Sequence, residues 1–476
     1  MPLIKSISGI RGTIGGQPGD NFTPIDIMNN LYGYGAFIKQ KYPNQKIKII
    51  VGRDSRISGE MVKNLVVGAL LSQGLDIIDL GMATSPTVEI SVLNQKAQGG
   101  IIITASHNPQ GWNALKLLND QSEIISAADG EIIQDLIVKQ NFSFVAEDKL
   151  GAYAFNPFLA QEHLAAVKNF PLVDAALIKN KNFKIVLDGI NSVGGMVIPE
   201  LLKELGILNI IELNCEPNGK FAHKPEPLAE NLTQICQAVK NNKADLGIVV
   251  DPDVDRLAFI DENGQMVSEE YTLVAAADYV LKNYETLSAV YPGRYTKSTV
   301  SNLSSSRALA DVAKKYEARY EPAAVGEINV VEKMKELRAV IGGEGSGGII
   351  CPQLHYGRDS LIGVALILSA LARSGQVVST FFQALPQYSI VKDKIELPFG
   401  LDMTDLLTKL KQDFQDNKDV KITETDGLRI DWSNSWVHFR ASNTEPIIRI
   451  YTEAATKAAA EELSRESKSK ILAYIK

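Results

Sequence analysis

Residues 46–80, KIKIIVGRDSRISGEMVKNLVVGALLSQGLDIIDL, contain the repeating pattern that decides the fold. An apolar strand at 46–52 leads into a polar loop and an apolar-periodic helix, Gly74 ends the helix, and a second apolar strand follows at 76–80. Strand, loop, helix and strand in this order make a βαβ unit, which predicts a parallel sheet covered by helices. The same order returns at 183–213, where FKIVL and NIIEL are the two strands. We therefore expect more than one α/β domain of this kind.

Length and the change of pattern along the chain predict its division into domains. At roughly 100–200 residues per domain, 476 residues correspond to about three or four domains. A third α/β unit follows the second, whereas the C-terminal part has strand-like segments and a long helix, which is typical of a smaller α+β domain. The expected domains are 1–155, 156–260, 261–375 and 376–476.

Composition and charge exclude several classes of protein. Apolar residues make up 45% of the chain and charged residues 22%, values typical of a globular protein rather than a disordered one. The formal net charge of -7 does not favour nucleic acid or an anionic membrane, and no apolar run approaches the ~20 residues of a spanning helix. The three cysteines form no metal or redox pattern, and the N-terminus has no signal-peptide pattern. We therefore expect a cytoplasmic protein with no nucleic-acid or membrane partner.

An acidic loop follows the short apolar strand at 246–250. Its carboxylates stand on alternate residues, namely Asp251, Asp253 and Asp255. Such a density of hard oxygen ligands suits Mg²⁺, and without a cation the three carboxylates would repel one another. An EF-hand calcium loop is the sharper alternative because Glu262 falls at its twelfth position, but Arg256 stands at the sixth position, where that loop requires glycine. A solvated acidic turn is the other alternative.

A second polar loop, TASHNP at 104–109, follows an apolar strand that begins at Gly100. Ligands gather beyond the carboxyl ends of parallel strands, so chemistry is expected at this loop. Ser106 could act as a nucleophile or carry phosphate, and His107 stands next to it. The hydrolase elbow G-x-S-x-G is missing from the sequence, which argues against a Ser-His-Asp hydrolase. A simple turn at Asn108–Pro109 is the alternative that this loop alone leaves open.

Arginines flank small polar residues in the C-terminal part of the chain, RASNTEP at 440–446, and another arginine follows. Arginine supplies paired donors that match a phosphate, and hydroxyl, amide and backbone N–H groups complete the phosphate's shell. The candidate phosphate ligands are Arg440, Ser442, Asn443, Thr444 and Arg449. A capped turn between two strands is the alternative.

A glycine-rich segment, GGEGSGG at 342–348, would let the backbone approach a ligand closely. Within it, Glu344 and Ser346 offer groups for sugar hydroxyls. The segment does not match G-x-G-x-x-G with a following acidic partner, so a dinucleotide site is weakly supported. A flexible surface loop is the alternative.

Together and in this order, the four loops resemble those of the α-D-phosphohexomutase family, which includes phosphoglucomutase, phosphomannomutase and phosphoglucosamine mutase. The resemblance runs from SGIRGTIG at 8–15 to Arg449 and covers nearly the whole chain. It implies an isomerase that acts as an intramolecular phosphotransferase. The implied fold is α/β, with three similar α/β domains of mixed, largely parallel sheets and a smaller α+β C-terminal domain around a central cleft. The implied partner is a small-molecule sugar phosphate, and the chain would be a monomer or a homodimer.

The resemblance also implies roles for individual residues. Ser106 matches the serine that carries the transferable phosphate, and the three aspartates match ligands of Mg²⁺, with an oxygen of the phosphoserine completing the set. The implied catalytic residues are Ser106, Lys116, Arg11, His107 and Arg256. Lys116 is the expected proton acceptor, provided that Arg11 and Arg256 lower its pKa. The implied substrate-binding residues are Glu344, Ser346, Arg440, Ser442, Asn443, Thr444 and Arg449.

The implied reaction moves a phosphoryl group between two oxygens of one hexose. Phosphorylated Ser106 donates to a hexose monophosphate, a hexose 1,6-bisphosphate forms as intermediate and activator and turns around, and its other phosphate returns to the serine. Hexose 6-phosphate and hexose 1-phosphate are thereby interconverted. A sugar-phosphate phosphatase and a non-catalytic sugar-phosphate-binding protein are the alternatives from other classes.

Two departures from the family pattern concern the sugar. Many relatives have histidine where Gly348 stands, and many have a Gly-His pair where Gly326 and Glu327 stand. The glycine-rich segment is nearer the version that resembles some archaeal and bacterial glucosamine-type members. We therefore expect glucosamine phosphate as the substrate, with glucose or mannose phosphate as the alternative.

Overall fold

The computed structural model describes residues 3–6, 9–398, 400–442 and 446–475, and its strands form four sheets that follow one another along the chain. The expected fold class is confirmed, because three mixed α/β sheets precede an antiparallel sheet with its own helices. Within these four ranges, none of the helices is both long and apolar enough to cross a bilayer.

The first sheet contains the strand–helix–strand unit at 46–80. Its strands are β1 (Ile4–Ser6), β2 (Gly9–Thr13), β3 (Lys48–Arg53), β4 (Asp76–Met82), β5 (Gly99–Ile103), β6 (Trp112–Leu118) and β7 (Tyr153–Phe155). The helices are α1 (Pro24–Lys41), α2 (Gly59–Leu71), α3 (Ser85–Asn94) and α4 (Ala127–Val138). The strand order is β1-β2-β6-β5-β3-β4-β7, with β3 parallel to β4 and β5, and β6 antiparallel to β5.

The second sheet has five strands and carries the acidic loop. Its helices are α5 (Leu159–Lys168), α6 (Ala175–Lys181), α7 (Gly194–Glu204) and α8 (Thr233–Asn242). Its strands are β8 (Lys184–Asp188), β9 (Asn209–Leu213), β10 (Leu246–Val250), β11 (Leu257–Ile260) and β12 (Met266–Val267). The strand order is β12-β11-β10-β8-β9, with β8 parallel to both neighbours and β11 antiparallel to β10.

The third sheet has four strands and carries the glycine-rich segment. Its helices are α9 (Glu270–Lys282), α10 (Tyr284–Val290), α11 (Ala308–Lys315), α12 (Glu327–Leu337), α13 (Ser360–Ser374) and α14 (Val378–Gln383). Its strands are β13 (Thr296–Asn302), β14 (Arg319–Ala323), β15 (Ala339–Glu344) and β16 (Gly348–Ile350). The strand order is β14-β13-β15-β16, with β13 parallel to both neighbours and β16 antiparallel to β15.

The fourth sheet is antiparallel throughout, as expected for a separate α+β unit. Its strands are β17 (Ser389–Glu396), β18 (Lys421–Thr423), β19 (Leu428–Asp431), β20 (Ser435–Ala441) and β21 (Ile447–Ala454). The helices are α15 (Met403–Gln412) and α16 (Lys457–Tyr474). The strand order is β17-β21-β20-β19-β18.

One topological feature recurs in the first three sheets and places the candidate loops. A strand with a parallel neighbour, β5, β10 or β15, ends in a short loop and returns as an antiparallel strand, β6, β11 or β16. The three loops contain Ser106, the aspartates and Ser346. Each candidate loop therefore leaves the carboxyl end of the corresponding strand in its own sheet.

A shared apolar core holds the second and third sheets together. It includes Leu187 and Val250 of the second sheet and Ile341 of the third. Helix α13 is buried along nearly its whole length, from Ser360 to Ala372, which is typical of a helix that is apolar on every face. The aspartate loop and the glycine-rich segment are thus mounted on one packed body.

Candidate active site

Ser106 meets the acidic loop across the boundary between the first two sheets. Its Oγ donates a hydrogen bond of 2.8 Å to Oδ2 of Asp251, although the two residues are 145 positions apart in sequence. Ser106 is 7% exposed and Asp251 is fully buried. The loops that follow β5 and β10 therefore form one site.

The backbone of Ser106 has an unusual conformation that its neighbours hold in place. Its φ of 46° lies in the left-handed region, which residues other than glycine rarely occupy. Its N–H donates to Oγ1 of Thr104 at 3.0 Å, and this hydroxyl donates to Oδ2 of Asp54 at 2.7 Å. Such a conformation persists only where the surroundings fix it, and residues of this kind gather at functional sites.

A buried arginine, which the sequence motifs did not reveal, holds the same loop. Arg56 is 1% exposed, and its Nε donates to Oδ2 of Asp54 at 3.0 Å. Its Nη atoms donate, at distances of 2.6 to 2.9 Å, to the backbone carbonyls of Ser106, Asn108, Pro109 and Trp112. The sequence offered one indication that Arg56 has a role: it lies in the polar loop after β3, and ligands gather beyond the carboxyl ends of parallel strands.

The three aspartates form a compact group of oxygen atoms. One carboxylate oxygen from each of Asp251, Asp253 and Asp255 lies within 4.8 Å of the others, and all three residues are buried. Oδ1 of Asp251 accepts the N–H groups of Asp255 and Arg256 at 3.0 and 3.1 Å. Within the described part of the chain, Oδ1 of Asp253 and Oδ1 of Asp255 accept no hydrogen bond. Buried carboxylate oxygens without donors fit a hard cation such as Mg²⁺.

Electrostatics in this group also favour a cation. Burial, followed by repulsion from Asp255 and Asp253, raises the pKa of Asp251 well above its usual value. A divalent cation would remove this repulsion. Both alternatives for the loop are wrong: its aspartates are buried rather than solvated, and the residues after it form β11 rather than the remainder of a calcium loop.

Lys116 reaches the aspartates from strand β6. Its Nζ lies 2.8 Å from Oδ2 of Asp253 and 3.3 Å from Oδ2 of Asp255. Burial opposes the positive charge, but the two carboxylates outweigh burial and raise the pKa of Lys116. The expectation that Arg11 and Arg256 lower this pKa is wrong for this arrangement, because the two aspartates contact the ammonium group directly.

The other basic residues expected near Ser106 also lie at its loop. Nδ1 of His107 is 3.5 Å from Oγ of Ser106. Burial, followed by the charge of Arg256, lowers the pKa of His107 well below its usual value, so this imidazole is neutral near pH 7. Arg256 itself pairs with Glu226 at 3.2 Å. Arg11 lines the same small cavity as Ser106.

The C-terminal sheet brings further arginines towards the site. Arg440 and Arg449 are direct partners on the antiparallel strands β20 and β21, and Arg440 pairs with Asp426 at 2.8 Å. Burial, followed by the charge of Arg449, lowers the pKa of Arg11, which lies on β2 of the first sheet. Guanidinium groups gathered from two sheets suit an anion.

The remaining candidate phosphate ligands follow β20 in the sequence. The N–H of Ser442 donates to the carbonyl of Ile447 at 3.0 Å, so this residue lies beside the start of β21. Asn443 and Thr444 lie outside the described residues. The assignment of these two residues as phosphate ligands therefore stays a prediction.

The glycine-rich segment is mostly strand rather than a flexible surface loop. Glu344 ends β15 and pairs directly with Gly348 of β16, so only 345–347 form the turn, and Ser346 there is partly exposed. Gly347 has a φ of +88°, and a Cβ on it would lie 2.4 Å from the carbonyl oxygen of Leu257. The turn therefore packs against β11, directly after the aspartate loop.

Glu344 is held by donors from three directions. Its Oε1 accepts Nδ2 of Asn302 at 2.8 Å and the N–H of Gly326 at 3.2 Å. Its Oε2 accepts Nη1 of Arg358 at 2.9 Å. Arg358 was missed in the sequence because it belongs to none of the four loops.

A second buried group joins elements of the first three sheets. Nε2 of His163 and Nε2 of His355 lie 2.9 and 3.3 Å from Oδ2 of Asp359. The other ring nitrogens contact Thr87 at 3.0 Å and Glu89 at 3.0 Å. These contacts form a polar network between the domains.

Comparisons with known proteins agree with this arrangement. Four models described as phosphoglucomutase/phosphomannomutase match the chain: alpha/beta/alpha domain I at 3–143, domain II at 161–264, domain III at 268–388 and the C-terminal domain at 394–468. A "phosphoglucomutase/phosphomannomutase" of Thermococcus kodakarensis is 34% identical over 97% of both chains. A "phosphoglucosamine/phosphogalactosamine mutase" of Sulfurisphaera tokodaii is 32% identical over 98% of this chain and 99% of its own.

Solved structures show the same fold. A phosphoglucomutase/phosphomannomutase family protein from Burkholderia thailandensis superposes with a TM-score of 0.83 at 23% identity, over 99% of this chain and 98% of its own. An N-acetylphosphoglucosamine mutase of Aspergillus fumigatus, described in complex with GlcNAc-6P and magnesium, superposes with a TM-score of 0.57 at 13% identity, over 94% and 97%.

Proposed function

The chain belongs to the phosphoglucomutase/phosphomannomutase family, the α-D-phosphohexomutases, and from this premise we propose that it interconverts hexose 6-phosphate and hexose 1-phosphate through a phosphoserine at Ser106. Members of this family are isomerases. The observation that carries the proposal is the 2.8 Å hydrogen bond between Oγ of Ser106 and Asp251. A phosphate on this hydroxyl would stand beside all three aspartates.

The chemistry requires charge neutralisation and positioning more than a strong base. A Mg²⁺ ion on the three aspartates and a phosphoserine oxygen would supply charge neutralisation for the travelling phosphoryl group. Nζ of Lys116 contacts Asp253 and Asp255, and Lys116 lines the same small cavity as Ser106, so we propose that it places a positive charge near the phosphoryl group and relays the proton between the two exchanging oxygens. His107 follows Ser106 in its loop, Arg256 ends the aspartate loop, and the two complete the proposed catalytic set with Arg11.

Each half of the reaction exchanges one oxygen–phosphorus bond for another. A sugar hydroxyl attacks the phosphorus on Ser106, the bond to Oγ breaks with its electrons staying on Oγ, and Lys116, which lines the same small cavity, passes the proton of the hydroxyl to Oγ. The hexose 1,6-bisphosphate then turns around, Oγ of Ser106 attacks the second phosphate to regenerate the phosphoserine, and the proton of Oγ passes to the sugar oxygen that leaves. The water-poor surroundings of Ser106, which is 7% exposed, protect this ester from hydrolysis.

The phosphate that is not being transferred needs a second site, and we place it at the C-terminal sheet. Arg440 and Arg449 are opposite each other on neighbouring strands, and Asp426, 2.8 Å from Arg440, offsets only part of their repulsion, so the pair would attract a further anion. Arg11 faces them from the first sheet. The full proposed set is Arg440, Ser442, Asn443, Thr444 and Arg449.

For the sugar we propose glucosamine phosphate, with glucose or mannose phosphate as the alternative. Glu344 and Ser346 are the proposed sugar contacts at the turn between β15 and β16. Glu327, whose side chain is 13% exposed, accepts Nε of Arg358 at 2.8 Å nearby and adds a second carboxylate to this side of the site. Relatives more than 30% identical carry both kinds of name, including "probable phosphoglucosamine mutase".

The proposed role of Ser106 is tested by Ser106→Ala, with the exposed Ser469→Ala of α16 as a matched control. We expect Ser106→Ala to lose turnover of every hexose phosphate in a coupled assay, while it still binds Mg²⁺, because the three aspartates remain. Intact-mass measurement should find a phosphate on the wild type and on Ser469→Ala and none on Ser106→Ala.

Each other outcome points to a different function. Turnover of Ser106→Ala at the wild-type rate would exclude the phosphoserine. Release of free phosphate equal to sugar turnover would identify a phosphatase. Tight binding of a sugar phosphate by the wild type without turnover of any hexose phosphate would identify a binding protein.

A further inference from the structure

We propose that Arg358 is a positioning residue that holds the carboxylate of Glu344 for the sugar and links it to the metal loop through Asp255. The inference rests on the proposed function, since it places the sugar and the cation in one site. Arg358 lies between β16 and α13, outside all four of the loops that carry the chemistry. It therefore adds a residue that determines how the sugar is held.

Each donor edge of the Arg358 guanidinium contacts a different carboxylate. Nε donates to Glu327 at 2.8 Å, Nη1 to Glu344 at 2.9 Å and Nη2 to Asp255 at 2.7 Å. The side chain is 11% exposed, and its three partners are at most 13% exposed. A planar fork can satisfy three carboxylates at once, whereas an ammonium group cannot reproduce this geometry.

Gly348 supplies the space that the guanidinium stem occupies. A Cβ built on Gly348 would lie 2.3 Å from Cδ of Arg358 and 2.9 Å from its Cγ. Any larger residue at 348 would therefore displace the arginine. The two departures from the family pattern have one explanation, because Gly348 leaves room for Arg358 and Glu327 supplies one of its partners.

Arg358 leaves the carboxylate of Glu344 with one orientation. Oε2 accepts the arginine, while Oε1 accepts Asn302 at 2.8 Å and the N–H of Gly326 at 3.2 Å. Because both oxygens are held, the carboxylate cannot rotate, and the one lone pair left on Oε2 is oriented in advance for a sugar hydroxyl. Loss of Arg358 would release this orientation without removing Glu344.

Because Arg358 also contacts Asp255, the proposal predicts opposite changes in the binding of sugar and of Mg²⁺ when this arginine is removed. A positive charge 2.7 Å from a proposed metal ligand weakens the attraction of that ligand for a cation. Removing the guanidinium should therefore weaken sugar binding and strengthen Mg²⁺ binding. Partial unfolding would weaken both, so the two explanations predict different results.

The experiment compares Arg358→Gln and Arg358→Lys, with Arg373→Gln as the control. Arg373 lies on α13, is 51% exposed and pairs with Asp174. Calorimetry measures the binding of glucosamine 6-phosphate and glucose 6-phosphate without Mg²⁺, and the binding of Mg²⁺ without sugar phosphate.

For Arg358→Gln we expect the Kd of the preferred sugar phosphate to rise about 10- to 100-fold because three buried carboxylates lose their shared partner. The Kd of Mg²⁺ should fall about threefold or more. Arg358→Lys should lie between the wild type and Arg358→Gln for the sugar, and Arg373→Gln should match the wild type in both measurements.

Three results would overturn the proposal. Sugar binding by Arg358→Gln within about twofold of the wild type would remove the positioning role, since release of Glu344 should weaken binding by more. Parallel weakening of sugar and Mg²⁺ binding would indicate a purely structural role. A wild type that binds no hexose phosphate would overturn the proposed function, and this inference with it.

A second set of variants tests the role of Gly348. Gly348→Ala alone should raise the Kd of the sugar phosphate about tenfold, whereas in an Arg358→Ala background the same change should have less than about a twofold effect, since contacting residues are not additive. Equal effects in both backgrounds would show that Gly348 does not act through Arg358. Both variants keep the carboxylates of Glu327 and Glu344.

Discussion

Replacing Arg56 by methionine removes the cation that fixes the backbone around Ser106, and we expect both stability and turnover to fall. Arg56 compensates Asp54, and both side chains are fully buried. Removal of one partner from a buried ion pair destabilises a protein by about 3–5 kcal/mol, because the other charge stays uncompensated. The carbonyls of Ser106 and its neighbours also lose donors at 2.6 to 2.9 Å. The Ser106 loop would then be held less firmly against Asp251.

The expected effect on catalysis follows from this loss of position. A displacement of about 1 Å at a reacting group lowers turnover by about 10²-fold. The kcat of Arg56→Met should therefore fall about 100-fold, whereas the KM for the sugar phosphate should change little because the sugar turn belongs to another sheet. A coupled assay measures both constants, and urea unfolding followed by circular dichroism measures stability.

Two control variants distinguish displacement of the Ser106 loop from the loss of an arginine in general and from the loss of stability. Arg319→Met removes an arginine that is 63% exposed and paired with Glu321, and it should behave as the wild type. Asp54→Asn combined with Arg56→Met removes both buried charges and should recover part of the stability but not the turnover. A wild-type kcat in Arg56→Met would refute the reasoning, since it would mean that other contacts suffice to hold Ser106.

Two further predictions concern charge. Burial opposes protonation of His355, but hydrogen bonds to Asp359 and Glu89 raise its pKa to about 10. This value exceeds the unfolded pKa of about 6.5, so the stabilisation is complete below pH ~6.5 and is lost as the pH rises through ~10. Between these two pH values, urea titrations should show the free energy of unfolding falling by at most about 1.4 kcal/mol per pH unit. The same pH dependence in His355→Gln would show that another group causes it. Asp251→Asn removes one of three carboxylates that repel one another and that are proposed to bind Mg²⁺. The Kd of Mg²⁺ should therefore rise about tenfold or more, whereas the free energy of unfolding measured in urea without Mg²⁺ should increase. A lower free energy of unfolding would contradict this prediction.

The strand ends that carry chemistry were predictable because each combines a short apolar run with distinctive polar residues. The apolar run at 246–250 is β10 with the same bounds, and β11 follows the aspartate loop directly. A buried strand followed at once by three carboxylates has few structural outcomes, since the charges must gather at the sheet edge. The proximity of Ser106 to Asp251 followed instead from the family resemblance, which implied that an oxygen of the phosphoserine completes the metal ligands.

The glycine-rich segment shows where composition misleads. Five glycines in 342–348 indicated a loop, yet Gly342 and Gly343 lie in β15 and Gly348 in β16. They are needed for close packing rather than for flexibility: a Cβ on Gly345 would lie 1.8 Å from Oε2 of Glu270, and one on Gly343 would lie 2.0 Å from the carbonyl oxygen of Gly348. Such contacts arise from the tertiary fold, and a single sequence does not contain them.

The two buried arginines could not be predicted for a related reason. Arg56 contacts Ser106 from 50 positions away, and Arg358 contacts Asp255 from 103 positions away. Neither arginine belongs to a motif with a characteristic spacing, and each stands in a loop, where an arginine is normally solvated. The pKa of Lys116 was mispredicted on similar grounds, because its sign depends on which charges lie within a few ångströms.

The arginines of this chain divide into two kinds, and the division explains how a protein with a net charge of -7 can hold two phosphates. Arg56 and Arg358 are surrounded by carboxylates and carbonyls, so groups of the protein itself compensate their positive charges. Arg440 and Arg449 instead stand opposite each other on paired strands, where Asp426 pairs with Arg440 and offsets only part of their mutual repulsion. A bisphosphate that turns around would always present one phosphate to this cationic side and the other to the aspartates. The proposed cation site and the proposed site of the second phosphate would thereby lie on different sheets, the first built from carboxylates and the second from arginines.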